Sequence, residues 1–203
     1  MNTFSTSLHT RIHQLFDERV AQAADHPFLF MPDRVMTLGQ LAVQVDALEA
    51  ELRAAGVRLG DRVLVAAENC PEHVALVLAC SRVGAWACGV NARMTASELA
   101  GFAVKADARV LYFTVGVSPA ARQHAQQYDT RASVLPALQR TLADPQATAQ
   151  TGDLAERVAA IIFTSGTTGQ PKGVMLTHAG LLQFGKVSAQ SRQLTPADRS
   201  YAY

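Results

Sequence analysis

The sequence predicts an α/β fold: a largely parallel, layered sheet flanked by helices. Two observations carry that expectation. Short continuous apolar runs, such as RVLVAA at Arg62–Ala67 and RVLYF at Arg109–Phe113, have the length and composition of strands buried on both faces. They alternate with longer stretches in which apolar residues recur every three or four positions, the spacing of a helix stripe. With 203 residues, 49% of them hydrophobic, the chain can bury a sizeable core.

Taken in order, the N-terminal stretch MNTFSTSLHTRIHQLF lacks the apolar core of a secretory signal. Leu8, Ile12, Leu15 and Phe16 share a face, which predicts an amphipathic first helix. From Thr37 to about Ala55, a stripe of Leu38, Leu41, Val45, Leu48 and Leu52 predicts a second helix. Thr37 and Gln40 form a capping box at its start, and Gly56 suits its stop. A strand over Arg62–Ala67 precedes a helix opened by Asn69 and Pro71 that runs to about Val83.

Residues 85–90 then read as a strand, and the Thr95–Glu98 capping box starts another helix. Arg109–Phe113 is a strand, Ser118-Pro119 opens a polar helix to about Tyr128, and residues 132–135 make a further short strand. Residues 139–153 are polar, contain Pro145 and show no period, so they read as a surface loop. Strands are predicted at Val158–Phe163 and Gly173–Leu176, with a helical face beginning at Leu181, Leu182 and Phe184.

Composition excludes several functions. The formal net charge is +1 with the signs well mixed, so the chain has no basic field of a nucleic-acid binder. The apolar run Val74–Cys80, flanked by His73 and Arg82, is too short for a membrane span. Cys70, Cys80 and Cys88 form no CxxC pair and read as reduced cysteines of a cytoplasmic protein.

The chemistry concentrates in IIFTSGTTGQPKGVMLTH, Ile161–His178. Gly166, Gly169 and Gly173 permit backbone conformations and close approaches that a Cβ would block. Thr164, Ser165, Thr167 and Thr168 add hydroxyls to the backbone N–H groups, and Lys172 adds a full positive charge. Such a stretch, held between two strands, has the parts of a phosphate cradle. A flexible linker or a plain hairpin loop are the competing readings; neither calls for four hydroxyls and a lysine together. The Walker spacing is absent, since Gly166 and Gly169 stand too close and Lys172 is followed by Gly173. The glycines and exposed backbone predict a loop that is mobile without nucleotide. His178 and His73 admit a general-base reading, but a structural or capping role for His178 and a rim position for His73 are the simpler expectations.

TSGTTGQPKGVMLTH closely resembles the phosphate-binding signature of the adenylate-forming (AMP-binding) enzymes, which include acyl- and aryl-CoA ligases, luciferases and peptide-synthetase adenylation domains. Supporting matches occur in order at Met36–Leu41, Gly60–Val63, Asn69 with Glu72, Val83–Ala85 and Asn91–Leu99. The last, NARMTASEL, is similar to a stretch of many acyl-CoA synthetases, where peptide-synthetase domains usually carry an Asp-Pro-rich segment. Phe163 stands where the family often has Tyr, Gly180 where Asn is frequent, and Leu38 in place of a usual Tyr. None of these departures touches the phosphate-facing residues.

The resemblance implies ATP-dependent activation of a carboxylic acid as an acyl-adenylate, followed by thioester formation with CoA. It implies that Ser165, Gly166, Thr167, Thr168, Gly169 and Lys172 hold the β- and γ-phosphates, and that Thr164 approaches the bridging Mg2+. It also implies that residues 1–203 are a truncated N-terminal portion of the AMP-binding large domain, with the phosphate-binding loop at 163–173. The acyl pocket, a downstream magnesium-holding glutamate and the C-terminal domain with its catalytic lysine are then absent, so no catalytic set is complete. The ending RSYAY, within an expected strand, fits a fragment that is inactive alone and prone to self-association. Two alternatives stand beside this: a non-catalytic nucleotide-binding remnant, and a peptide-synthetase adenylation domain.

Overall fold

The computed structural model describes residues 9–164, 172–195 and 197–201. Helix α1 (Ile12–Ala23) leads into a hairpin of β1 (Pro27–Phe30) and β2 (Val35–Thr37). There follow α2 (Leu38–Ala54), β3 (Arg62–Ala67), α3 (Pro71–Val83), β4 (Trp86–Asn91), α4 (Ala96–Ala106) and β5 (Ala108–Phe113). After them come α5 (Pro119–Ala125), β6 (Thr130–Ala132), β7 (Gln139–Thr141), α6 (Asp153–Arg157), β8 (Val158–Thr164), β9 (Lys172–Thr177) and α7 (His178–Ser191).

Seven strands form the main sheet in the order β6-β7-β5-β3-β4-β8-β9. The four central strands, β5, β3, β4 and β8, are mutually parallel, and β7 and β9 close the parallel block on either side with antiparallel pairings. The continuous apolar run of β3 has a simple cause. Side chains alternate across a sheet, so Val63, Val65 and Ala67 enter one core beneath α2 and α3, while Leu64 and Ala66 enter the other beneath α4 and α5. Both cores need apolar residues, so no polar face remains in β3.

The helix signals act as their chemistry requires. Leu41, Val45, Leu48 and Leu52 of α2 are completely buried against α3 and the sheet. The Thr37 hydroxyl accepts from the Gln40 N–H at 3.2 Å while the Gln40 Oε1 accepts from the Thr37 N–H at 2.9 Å. Thr95 and Glu98 repeat that exchange at α4. Gly56 follows the end of α2 at φ +75°, the left-handed region that favours glycine.

Several expectations need correction. The short strand expected at 132–135 lies at Thr130–Ala132, and residues 139–153, expected as a loop, contain β7 and lead into α6. β6 and β7 are three residues each and too short for periodicity to show. Long-range bonds hold them: Glu51 of α2, buried, accepts from Arg140 and from the Ser133 hydroxyl. Segment 144–148 is fixed from beneath by Arg109, which donates to the carbonyls of Asp144 and Ala147, and by Arg62, which donates to that of Thr148. α5 stops at Ala125 rather than near Tyr128, whose ring turns in to pack on Phe113 at 5.4 Å. The β1–β2 hairpin was not expected; its signal is the Pro-Asp-Arg break between PFLF and VMT. Arg199–Tyr201 is not a strand, and the Arg199 guanidinium instead stands 4.0 Å over the Phe30 ring. Leu8, placed on the first helix face, lies outside the described residues.

Candidate phosphate-binding site

Parallel strands bring their carboxyl ends to one edge of the sheet, and α/β proteins bind ligands at that edge. Here β3 passes to α3 on one face, whereas β4 passes to α4 on the other. The crevice between those two departures is the topological switch point. β8 runs beside β4 with Gly89 level with Ile162, so two residues further along each strand stand Asn91 and Thr164. The hydroxyl-rich stretch therefore begins at the height of the switch point.

Thr164 and Lys172 pair across the β8–β9 ladder, and both are exposed. The Thr164 hydroxyl donates to the Lys172 carbonyl at 3.4 Å. Among the described residues Lys172 forms no ion pair. Ser165, Gly166, Thr167, Thr168 and Gly169, and the expectation of loop mobility that rests on them, lie outside the described residues. Of the predicted cradle, the structure brings together its two ends.

The base of the stretch is apolar. Phe163 packs on Phe102 of α4 with ring centroids 4.6 Å apart and a 45° tilt. Opposite it stands Gly173, where a Cβ would lie 3.1 Å from Ile161 Cγ2 and 3.4 Å from the Phe163 ring. Gly173 is thus required for a close approach rather than for a turn.

A polar network flanks the switch point. Glu68, just past β3, accepts from Arg93 Nε at 3.2 Å and from the Ser118 hydroxyl at 3.1 Å. Its own N–H donates to the Thr114 hydroxyl at 3.2 Å. The bond from Arg93 is the main cause holding the Glu68 carboxyl below its ordinary range. Glu68 is not singled out by the sequence, and Ser118 and Arg93 stand out there only as a helix start and within NARMTASEL; their signal as a network is position, each lying within a few residues of a strand's carboxyl end.

The histidines stand elsewhere. His178 is the first residue of α7, 2% exposed, and its Nδ1 accepts the Ile12 N–H at 3.3 Å. Burial, then the nearby charges of Arg11 and His13, push its pKa down to about 4. A neutral, buried imidazole bonded to backbone is a structural group, as expected; the cap itself is Thr177, whose hydroxyl accepts from the Gly180 N–H. His73 packs half-buried over Gly89, and that burial lowers its pKa. Cys80 and Cys88 are buried free thiols; burial raises both, Cys88 to about 12. No helix of the described residues is long and apolar enough to cross a membrane, and no group of three or more His, Cys, Asp or Glu among them could hold a metal ion.

Curated relatives include 3-hydroxybenzoate–CoA ligase of Aromatoleum sp. (strain CIB), 28% identical over 88% of this chain and 36% of that protein. Surfactin synthase subunit 2 of Bacillus subtilis (strain 168) is also 28% identical, over 95% of this chain and 5% of that protein. The chain thus spans well under half the length of these relatives. Among solved structures, a putative long-chain-fatty-acid CoA ligase from Rhodopseudomonas palustris CGA009 superposes with a TM-score of 0.69, covering 93% of this chain and 49% of that one at 22% identity. That likeness shows the fold. The family described as AMP-binding enzyme matches residues 16–203, and the chain belongs to it.

Proposed function

We propose that the protein of which these residues form a part activates a carboxylic acid with ATP and transfers the acyl group to the thiol of CoA. A carboxylate oxygen attacks the α-phosphorus of ATP, the bond to the β-phosphate's bridging oxygen breaks, and pyrophosphate leaves. The thiol sulfur then attacks the acyl carbon of the adenylate, and AMP departs with the bonding pair. The observation that carries this reading is the exposed Thr164–Lys172 pair at the switch-point end of β8, bracketing the family's phosphate signature.

Charge builds on the departing pyrophosphate, and preorganised donors stabilise it more than they stabilise bound ATP. In this reading Ser165, Gly166, Thr167, Thr168 and Gly169 present backbone and hydroxyl donors to the β- and γ-phosphates, and Lys172 adds its charge. The Thr164 hydroxyl donates to Lys172 and keeps its lone pairs, so it fits a cation carried in by the nucleotide. Mg2+, when bound with ATP, neutralises phosphate charge as a Lewis acid.

Transfer to a carrier-protein thiol is a second reading, favoured by the surfactin synthase likeness; NARMTASEL favours CoA. A non-catalytic nucleotide-binding protein is the third. ATP–pyrophosphate exchange by the full-length protein over a panel of aliphatic and aromatic acids separates activity from its absence. Adding CoA or a phosphopantetheinyl carrier protein then identifies the acceptor. Exchange with no acid of the panel, alongside intact ATP binding, contradicts the ligase reading. We place the protein in the cytoplasm, in keeping with its free cysteines. The 203 residues alone should self-associate through the exposed Ile162, Val174, Met175 and Phe184; a monomeric mass by light scattering would count against this.

A further inference from the structure

Phe102 takes no part in any chemistry described so far, yet it is the contact on which the start of the phosphate stretch rests. It is 5% exposed, on the second turn of α4, within the core that also holds Leu99, Val90 and Phe113. Phe163 is only partly buried, and its ring lies between Phe102 on one side and Gly173 on the other. The residue after Phe163 is Thr164 and the residue before Gly173 is Lys172, and those two are paired. A shift of the Phe163 ring therefore moves both ends of the stretch together. Gly173 leaves room for this packing: a Cβ there would crowd Ile161 Cγ2 at 3.1 Å and touch the edge of the Phe163 ring at 3.4 Å.

We propose that Phe102 is a positioning residue for the phosphate grip: through the Phe163 ring and Gly173 it sets where Thr164 and Lys172 stand. The inference rests on the phosphate-binding reading above. A second link follows from the chain path. α4 begins three residues after Arg93, whose guanidinium bonds Glu68 beside the switch point, so the segment entering the helix links the polar network to the base of the grip.

Binding of Mg-ATP to the protein, measured by titration calorimetry, tests the proposal with four variants. Phe102→Leu keeps an apolar side chain in the core but removes the ring–ring contact. Its affinity should fall about three- to tenfold, the range an aromatic pair's worth converts to. Phe102→Tyr, which keeps the ring, should remain close to wild type or at least well above Phe102→Leu. Leu99→Ala disturbs the same helix and core but keeps the Phe102–Phe163 ring contact; it should lower the melting temperature yet leave the affinity nearly unchanged. Lys172→Ala reports on the grip itself. If Leu99→Ala weakens binding as much as Phe102→Leu at equal loss of stability, the role of Phe102 is merely structural and the proposal falls. It falls equally if Phe102→Leu binds Mg-ATP like wild type. If wild type and Lys172→Ala bind identically, or neither binds, the phosphate reading fails first and takes this inference with it.

Discussion

At the amino ends of the central strands Arg62 and Arg109 are buried, and every contact they make is to the scaffold: carbonyls of residues 60, 106, 107, 144, 147 and 148, and the carboxylates of Asp61 and Asp107. At the carboxyl ends Arg93 and Lys172 stand in water, one paired with Glu68 and the other without an ion pair among the described residues. The same sheet thus uses cations in two ways. A buried guanidinium needs most of its donors matched, as here by all but Arg109 Nε, and then it fixes loops that have no apolar core of their own. An exposed cation on a fixed ladder adds little to stability and remains available to an incoming anion.

The largest effect that would break this contrast is at the buried end. Arg109→Ala leaves Asp61, 1% exposed in its side chain, without its guanidinium partner and releases segment 144–148. Denaturant unfolding should show a loss of about 3–5 kcal/mol. A loss as small as that of a surface substitution would show that Arg109 is not a structural clamp.

A medium effect concerns acid. His178 is held at a pKa of about 4, below its unfolded value, so the unfolded chain takes up the proton first. Stability tied to this group is complete above about pH 6.5 and is lost as pH falls through that window towards 4. Arg11 faces the same ring with positive charge and His13 does so once protonated, Glu156 and Arg157 share its cavity, and burial lowers the pKa of His13 as well. His178→Asn keeps an acceptor for the Ile12 N–H but cannot titrate. Urea midpoints at pH 7 and pH 5 should differ less in this variant than in wild type; equal differences would remove His178 from the explanation.

The smallest effect sharpens the contrast at the exposed end. Thr95→Ala removes the hydroxyl that accepts from the Glu98 N–H, at a cost of about 1 kcal/mol. Because Thr95 starts the helix that carries Phe102, Mg-ATP affinity in Thr95→Ala should stay within about twofold of wild type, a change below half a kcal/mol. Glu98 accepts bonds from the Thr95 N–H and hydroxyl, and these hold its carboxyl below the ordinary range, so raising acidity should narrow the difference between wild type and Thr95→Ala without abolishing it, since the bond from the Glu98 N–H does not titrate.

Sequence and structure agree where the determinant is local. The Leu38–Leu52 stripe, the Thr37 and Thr95 boxes, and the β3 run each carry their own signal within a few residues. The ends of the phosphate stretch were equally plain, because Thr164 and Lys172 are flanked by strands that read as strands. What escaped was held from afar. β7 depends on Glu51 meeting Arg140 across 89 positions, and segment 144–148 depends on Arg62 and Arg109 reaching its carbonyls. No pattern within a window records such bonds. The base of the candidate site was hidden for the same reason: Phe102 and Phe163 are ordinary apolar residues until the sheet places one above the other.

The most direct test of the central claim is acid-dependent ATP–pyrophosphate exchange in the full-length protein, compared between wild type and Lys172→Ala. Loss of one anion-stabilising donor predicts exchange slowed by about 10²-fold, with unfolding stability changed by less than about 0.5 kcal/mol because Lys172 is exposed. Exchange at the wild-type rate in Lys172→Ala would contradict the account, since the cation at the end of the ladder would then take no part in holding the departing pyrophosphate.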